Sequence, residues 1–167
     1  NLSLSRLCNK KSSNHLQISQ TLISKERPID NDIIKLKIGV NQINEDVDFL
    51  NKISEKHPLL KIRLDANQQF TTEEFESLYQ KTSHLNIDFF EEPIKNPNIK
   101  KIEYFKNKHP RLKYAIDESL YQKTNYEEWI EKGLVDTMVI RQSISGGFVE
   151  FFKIVQLQSK NFQLLIF

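Results

Sequence analysis

The stretch Leu60-Lys61-Ile62-Arg63-Leu64-Asp65 decides the fold. Ile62 and Leu64 fall on one face of an extended segment, Arg63 and Asp65 on the other. The same construction recurs on either side of it. Ile34, Leu36 and Ile38 oppose Lys35 and Lys37, Tyr114 and Ile116 oppose Asp117, Met138 and Ile140 oppose Arg141, and a strand ending at Glu91 fills the remaining interval. From Lys37 the charged positions advance by 28, 26, 26 and 24 residues through Asp65, Glu91 and Asp117 to Arg141. Each step has room for one strand, one helix and two short loops, so the chain reads as consecutive βα units forming a parallel sheet or barrel. Charged residues that recur only at strand ends gather on one rim, where such folds keep their chemistry.

Working outward, strands are expected over Gln17–Leu22, Ile33–Ile38, Leu60–Asp65, Asn86–Glu91, Leu112–Asp117, Asp136–Arg141 and Phe162–Phe167. Helices alternate with them over Glu45–Glu55, Thr71–Thr82, Asn98–Lys108, Asn125–Lys132 and Gly147–Ser159. Val47, Leu50 and Ile53 share a helical face, and Thr71 stands three residues before Glu74 as in a capping box. Gly133 suits a left-handed helix end, and His57-Pro58 and His109-Pro110 each stop a helix. No low-complexity linker divides the chain. It reads as a segment 1–16 followed by one domain, 17–167.

Composition narrows the function classes. A formal charge of +2 over 167 residues argues against a nucleic-acid surface. No apolar run reaches the roughly 18 residues that a membrane span needs. A single cysteine, Cys8, cannot form an internal disulfide and points to a reducing compartment, the cytoplasm by default. The stretch 1–24 is basic through Arg6, Lys10 and Lys11 and free of acid, as a transit peptide would be, but a strand candidate already lies within it.

If helices cover the apolar strand faces, the charged set points into the barrel interior. Three carboxylates gathered there would repel one another by about 4 kcal/mol per pair at 4 Å and an effective dielectric near 20. A positive partner is required, and a hard divalent cation held by oxygen, such as Mg2+, suits the donor set. Lys37 and Arg141 would flank it. Taken singly, these residues have duller explanations: Lys35 and Lys37 as solvated strand residues, Asp117-Glu118-Ser119 as a helix cap, Glu91-Glu92-Pro93 as a strand exit. His15, His57, His84 and His109 show no metal-ligand spacing and are expected on the surface or in loops. Phe148, Phe151 and Phe152 are expected in the core, and Trp129 in helix packing.

Lys35-Leu36-Lys37, Arg63-Leu64-Asp65-Ala66-Asn67, Glu91-Glu92-Pro93, Asp117-Glu118-Ser119 and Val139-Ile140-Arg141 with Gly146-Gly147 resemble the motifs of the enolase superfamily, in its muconate-lactonising subgroup. Within it the o-succinylbenzoate synthase family is most similar, over about residues 17 to 167. The resemblance implies an α/β fold, a partial (β/α)8 TIM-type barrel of about seven parallel strands. It implies that Asp65, Glu91 and Asp117 hold Mg2+, that Lys37 is the acid/base with Lys35 beside it, and that Arg141 and Gly146 meet a small carboxylate substrate. The reaction implied is loss of water from 2-succinyl-6-hydroxy-2,4-cyclohexadiene-1-carboxylate to give 2-succinylbenzoate in menaquinone or phylloquinone biosynthesis, which adds the plastid stroma as a second compartment. An N-acylamino acid racemase or dipeptide epimerase is the alternative.

Two departures from the family pattern bear on that choice. Where relatives carry a second lysine this chain has Arg141, which stays protonated and cannot be a base, so two-base racemisation is disfavoured while one-base dehydration survives. Asn161–Phe167 reads as a seventh strand with no eighth βα unit after it, and a capping domain is missing, which is the expectation for a fragment or a non-catalytic remnant.

Overall fold

The computed structural model describes residues 19–22, 29–122, 125–141, 144 and 146, and the backbone of 163–166. Among the described residues there are seven strands: β1 (Gln20–Leu22), β2 (Ile33–Lys37), β3 (Lys61–Asp65), β4 (Ile87–Glu91), β5 (Tyr114–Ile116), β6 (Thr137–Ile140) and β7 (Gln163–Ile166). They form one sheet in chain order, every neighbouring pair parallel. Helices α1 (Ile43–Lys56), α2 (Thr72–Thr82), α3 (Ile99–Lys108) and α4 (Tyr126–Glu131) connect them. The expected partial barrel of seven parallel strands is what the chain forms. The helix read over Gly147–Ser159, with Phe148, Phe151 and Phe152, lies outside the described residues, as does His15.

Helix ends follow the local chemistry. Thr71 Oγ1 accepts the Glu74 N–H while the Glu74 carboxylate accepts the Thr71 N–H, completing the capping box of α2. Asn98 caps α3 by accepting the Lys101 N–H at 3.1 Å. His57 and His109 end α1 and α3, and Gly133 closes α4 at φ +68°.

Strand parity sorts the interior into two compartments. The main apolar core joins Ile34, Leu36, Ile62, Leu64, Phe90, Tyr114, Ile116, Met138 and Ile140 to the helices, through Leu50, Phe75, Leu78 and Phe105 among others. Four further buried apolar residues, Ile33, Phe89, Ala115 and Val139, stand apart from that core, and all have the opposite parity. They line the face that carries the charged set. Deep on that face Arg63 is buried, pairs with Asp88 at 2.9 Å and lies over the Phe89 ring at 5.3 Å, so its charge is spent on structure. On the outer side Phe75 meets Phe90 and Phe105 edge to face with centroids 5.4 and 4.9 Å apart, fixing α2 and α3 against β4.

His109, expected on the surface or in a loop, stands in the turn that ends α3. It is partly buried, 4.5 Å from the Tyr79 ring, with Nε2 3.0 Å from both oxygens of Glu76 on α2. Adjacent helices bring these groups together; spacing along the chain does not. Trp129 is buried in the core as expected. Among the described residues no helix is long and apolar enough to cross a membrane.

Candidate active site

One row of the sheet organises the site. Lys37 pairs with Asp65, Asp65 with Glu91, Glu91 with Ala115 and Ala115 with Thr137 across successive strands. Asp117 and Arg141 lie two and four residues beyond that row. Tilted barrel strands require such an offset for side chains to reach a common rim, since equal height along the axis is not equal register along the strand. The offset also accounts for the spacing in sequence.

The turns beyond the strands are held tightly. Gly39 follows β2 at φ +81°, and a Cβ there would lie 2.9 Å from Gln69 Cβ, so only glycine fits. Its N–H donates to Asp46 Oδ2 at 2.9 Å, tying the turn to α1. After β3, Asn67 and Gln68 both adopt positive φ, 42° and 59°; after β4, Glu92 does so at 41°. Non-glycine residues in this region are strained by roughly 1–3 kcal/mol each, and here they sit beside two of the candidate ligands. The Ala66 N–H donates to Glu91 O at 3.0 Å and the Gln68 N–H to Glu92 O at 2.6 Å, coupling the two turns.

Two cations hold the three carboxylates. Lys35 Nζ lies 3.0 Å from Asp65 Oδ2 and 2.8 Å from Glu91. Arg141 contacts the Asp117 carboxylate and comes within 3.9 Å of Glu118. Burial raises the Glu91 carboxyl to about 8, against the pull of Lys35 and helped by repulsion from Asp65 and Asp117. Burial also works to lower the Lys35 ammonium, but Glu91 and Asp65 outweigh it and the net shift is upward. Asp117 is likewise raised by desolvation, opposed by Arg141. Three acids and two cations thus share the rim, and burial favours the protonated form of Glu91.

Beside this cluster a cavity of about 620 Å³ is lined by Thr21, Lys35, Lys37, Asp65, Val139 and Arg141 among others. That size suits a small organic ligand, and three cations on its wall suit an anion. Lys37 stands at the exposed end of β2, opening on it. Gly146, at φ +76°, is exposed and is not among the described lining residues. The sequence motifs include Asn67, Glu92 and Glu118 without giving them a role, and Tyr121 lies outside them. Asn67 Nδ2 donates to Glu118 Oε1 at 2.6 Å, and the Tyr121 hydroxyl accepts the Arg141 N–H at 2.8 Å. Glu92, fully buried, accepts from Asp117 N and Ser119 N at 3.0 and 2.7 Å and from Ser119 Oγ at 2.9 Å. Burial raises its carboxyl to about 7, held down in part by the Ser119 and Asp117 bonds. The signal for these residues was their place one to four positions past a strand-end acid.

The donor set fits a hard divalent cation. Asp117 Oδ1, Asn67 Oδ1 and Glu118 Oε2 are buried and accept no hydrogen bond, leaving oxygen lone pairs of the kind Mg2+ takes. Among the described residues no three acidic, histidine or cysteine side chains form a ready-made cage; Lys35 and Arg141 are the cations paired with these acids.

A parallel βα barrel with acids on successive strand ends and paired lysines on the preceding strand defines a class of enzyme-like barrels. Residues 26–161 match the family of enolase C-terminal domain-like proteins, and the chain belongs to it. It is similar to a hydrophobic dipeptide epimerase of Enterococcus faecalis, 30% identical over 127 residues, covering 75% of this chain and 35% of that protein. An arabinonate dehydratase of Saccharolobus solfataricus is 31% identical over 122 residues, covering 72% of this chain and 32% of that one. In fold it matches the muconate lactonizing enzyme from Pseudomonas putida with a TM-score of 0.81 at 20% identity, over 96% of this chain and 48% of the other. The chain therefore spans about a third of the length of these curated relatives.

Proposed function

We propose that the complete protein removes a proton next to a carboxylate of a small organic acid, with Lys37 as the base and Asp65, Glu91 and Asp117 as the holders of a divalent cation. The observation that carries this reading is the row Lys37, Asp65, Glu91, with the cavity opening beside Lys37 and Lys35. Mg2+, when bound, would supply fixed positive charge against the second negative charge that develops on the substrate carboxylate. Lys35, ion-paired to two acids, stays an ammonium and orients those acids. Lys37 makes no such bridge among the contacts of the site and is the amine placed to take a proton and return it.

Arg141 decides between outcomes. A guanidinium does not deprotonate, so Arg141 offers the cavity a cation and not a second base. This favours a one-base elimination of water over epimerisation, and the o-succinylbenzoate synthase reaction is the example the sequence motifs suggest. The second reading is a dipeptide epimerase, favoured by the likeness to the Enterococcus faecalis enzyme. Incubation in deuterium oxide separates the two. The dehydratase reading expects turnover of the hydroxycyclohexadiene carboxylate, abolished by Lys37→Ala, and no deuterium at the α carbon of dipeptides or N-acylamino acids. Inversion with deuterium uptake at that carbon would sink it in favour of the epimerase. Full activity of Lys37→Ala would sink both.

A further inference from the structure

We propose that Glu92 is a positioning residue whose carboxylate clamps the turn carrying Asp117 onto the end of β4 and so sets Asp117 against Glu91. The proposal rests on the reading of Asp65, Glu91 and Asp117 as metal ligands.

Glu91 and Glu92 are neighbours that serve opposite sides of one strand end. Glu91 continues the parity of β4 and faces the acid cluster. Glu92 turns the chain at φ +41° and reaches across to the end of β5. Its Oε1 accepts the N–H groups of Asp117 at 3.0 Å and Ser119 at 2.7 Å; Oε2 accepts the Ser119 hydroxyl at 2.9 Å and Gln68 Nε2 at 3.2 Å. Its backbone joins the same neighbours, accepting from Gln68 N at 2.6 Å and donating to Ala115 O at 3.0 Å. One residue thus ties together the ends of β3, β4 and β5, where Asp65 and Glu91 close their strands and Asp117 follows directly on its own.

The chemistry of the contact calls for a carboxylate. Two backbone N–H groups, which can only donate, converge on Oε1, while the Ser119 hydroxyl and the Gln68 amide meet Oε2; a carboxylate accepts all four without any of them reorienting. Among the described residues no ammonium or guanidinium pairs with Glu92, so this buried charge is sustained by hydrogen bonds alone. A buried carboxylate is disfavoured unless so satisfied, and packing would be served better by an apolar side chain. Asp117 needs the help. At φ −132° and ψ −76° it has left β5, and a short 3-10 turn, Glu118–Leu120, follows it.

Glu92→Gln tests the clamp, because the amide keeps the size but offers one acceptor oxygen in place of two, so Ser119 Oγ and the Gln68 amide must reverse their roles or give up their bonds. Three measurements are made on this chain: Mg2+ affinity by titration calorimetry, amide hydrogen exchange over the segment 117–119, and melting temperature. Thr82→Val, which loses a buried hydroxyl bond on α2 far from the site, is the control for general destabilisation. Glu92→Gln is expected to weaken Mg2+ binding tenfold or more, in the range typical for groups that orient metal ligands, and to speed exchange of the Asp117 and Ser119 amides at least tenfold. Thr82→Val should change neither. Unaltered exchange, or unaltered Mg2+ affinity, in Glu92→Gln overturns the proposal. Should the wild-type chain bind no Mg2+, the metal reading falls by itself; the exchange result then decides the clamp, faster exchange supporting it and unchanged exchange overturning it. If Glu92→Gln does not fold, Ser119→Ala removes one donor and is expected to give a few-fold change in the same two readouts, and no change would overturn the proposal.

Discussion

Replacing Lys35 by methionine should destabilise the chain by an amount that grows with pH. Lys35 is 11% exposed and bridges Asp65 at 9% and Glu91 at 1%, with contacts of 3.0 and 2.8 Å. At such distances the attraction exceeds about 4 kcal/mol per pair for an effective dielectric near 20, but desolvation offsets much of it. Removing one partner of a buried pair leaves a net loss of about 3–5 kcal/mol. Glu91 makes this pH-dependent. Its folded value of about 8 lies above the roughly 4.3 of an unfolded glutamate, so the stability it contributes is complete below pH 4 and drains away as pH rises through 8. At pH 6 Glu91 keeps its proton in both chains, and Lys35→Met loses chiefly the Asp65 pair, about 3 kcal/mol. At pH 9 wild-type Glu91 is ionised against Lys35, while the variant must leave a second carboxylate unpaired or retain a proton against the solvent. That adds up to about 1.4 kcal/mol at pH 9, one unit above the wild-type value, once the folded Glu91 value of the variant has moved beyond it. Urea unfolding followed by circular dichroism at pH 6 and pH 9 measures both losses. A loss under about 1 kcal/mol at both pH values, or one that shrinks as pH rises, would refute the assignment of Lys35 as the bridge between buried acids.

Gly39→Ala should lower stability by about 1–3 kcal/mol, because the added methyl meets Gln69 Cβ at 2.9 Å and the residue must hold φ +81°. At roughly 2–4 °C per kcal/mol for a chain of this size, a scanning calorimeter resolves the shift, and an unchanged melting temperature would show the turn to be adaptable. Thr71→Ala should cost about 1 kcal/mol by opening the capping box of α2, detected in the same scans and absent if the Glu74 carboxylate alone suffices. Arg141→Lys, assayed in the complete protein, keeps a cation beside Asp117 but allows it to deprotonate. The expected gain is α-proton exchange with inversion on an acylated amino acid, read by deuterium incorporation; no gain would mean that Arg141 is not what confines the site to one base.

The repeat was legible because two independent periodicities coincide in it. Parity within strands put Arg63 with Asp65 and Ile62 with Leu64, and the step between strand ends put Asp65, Glu91 and Asp117 on one rim. Both signals are local, so a single chain exposes them. Boundaries were less visible: β5 is only Tyr114–Ile116, and Asp117, read as a strand residue, lies beyond it. The Asp117–Ser119 segment is turned by its bonds to Glu92, 25 and 27 residues away. Asn67 and Glu118 meet across 51 positions. No pattern within either motif announces such a partner, and Glu92 beside Glu91 reads as a second polar residue at a strand exit.

The same long-range contacts explain why the site tolerates so much like charge. Asp65, Glu91 and Asp117 would repel if they shared the rim with nothing else, yet each is fixed by a different device. Asp65 is held by Lys35 and by its own Asn67 N–H at 3.2 Å, Glu91 by Lys35 and a proton, and Asp117 by Arg141 through its side chain and by Glu92 through its backbone. Only the last of these is independent of charge on the rim. A divalent cation arriving among the three acids would replace the electrostatic work of Lys35, of the Glu91 proton and of Arg141, while the Glu92 bonds would remain as they are. The separation is physically sensible: groups whose charge must change on binding are held by other charges, which can yield, and the backbone that aims them is held by hydrogen bonds, which need not.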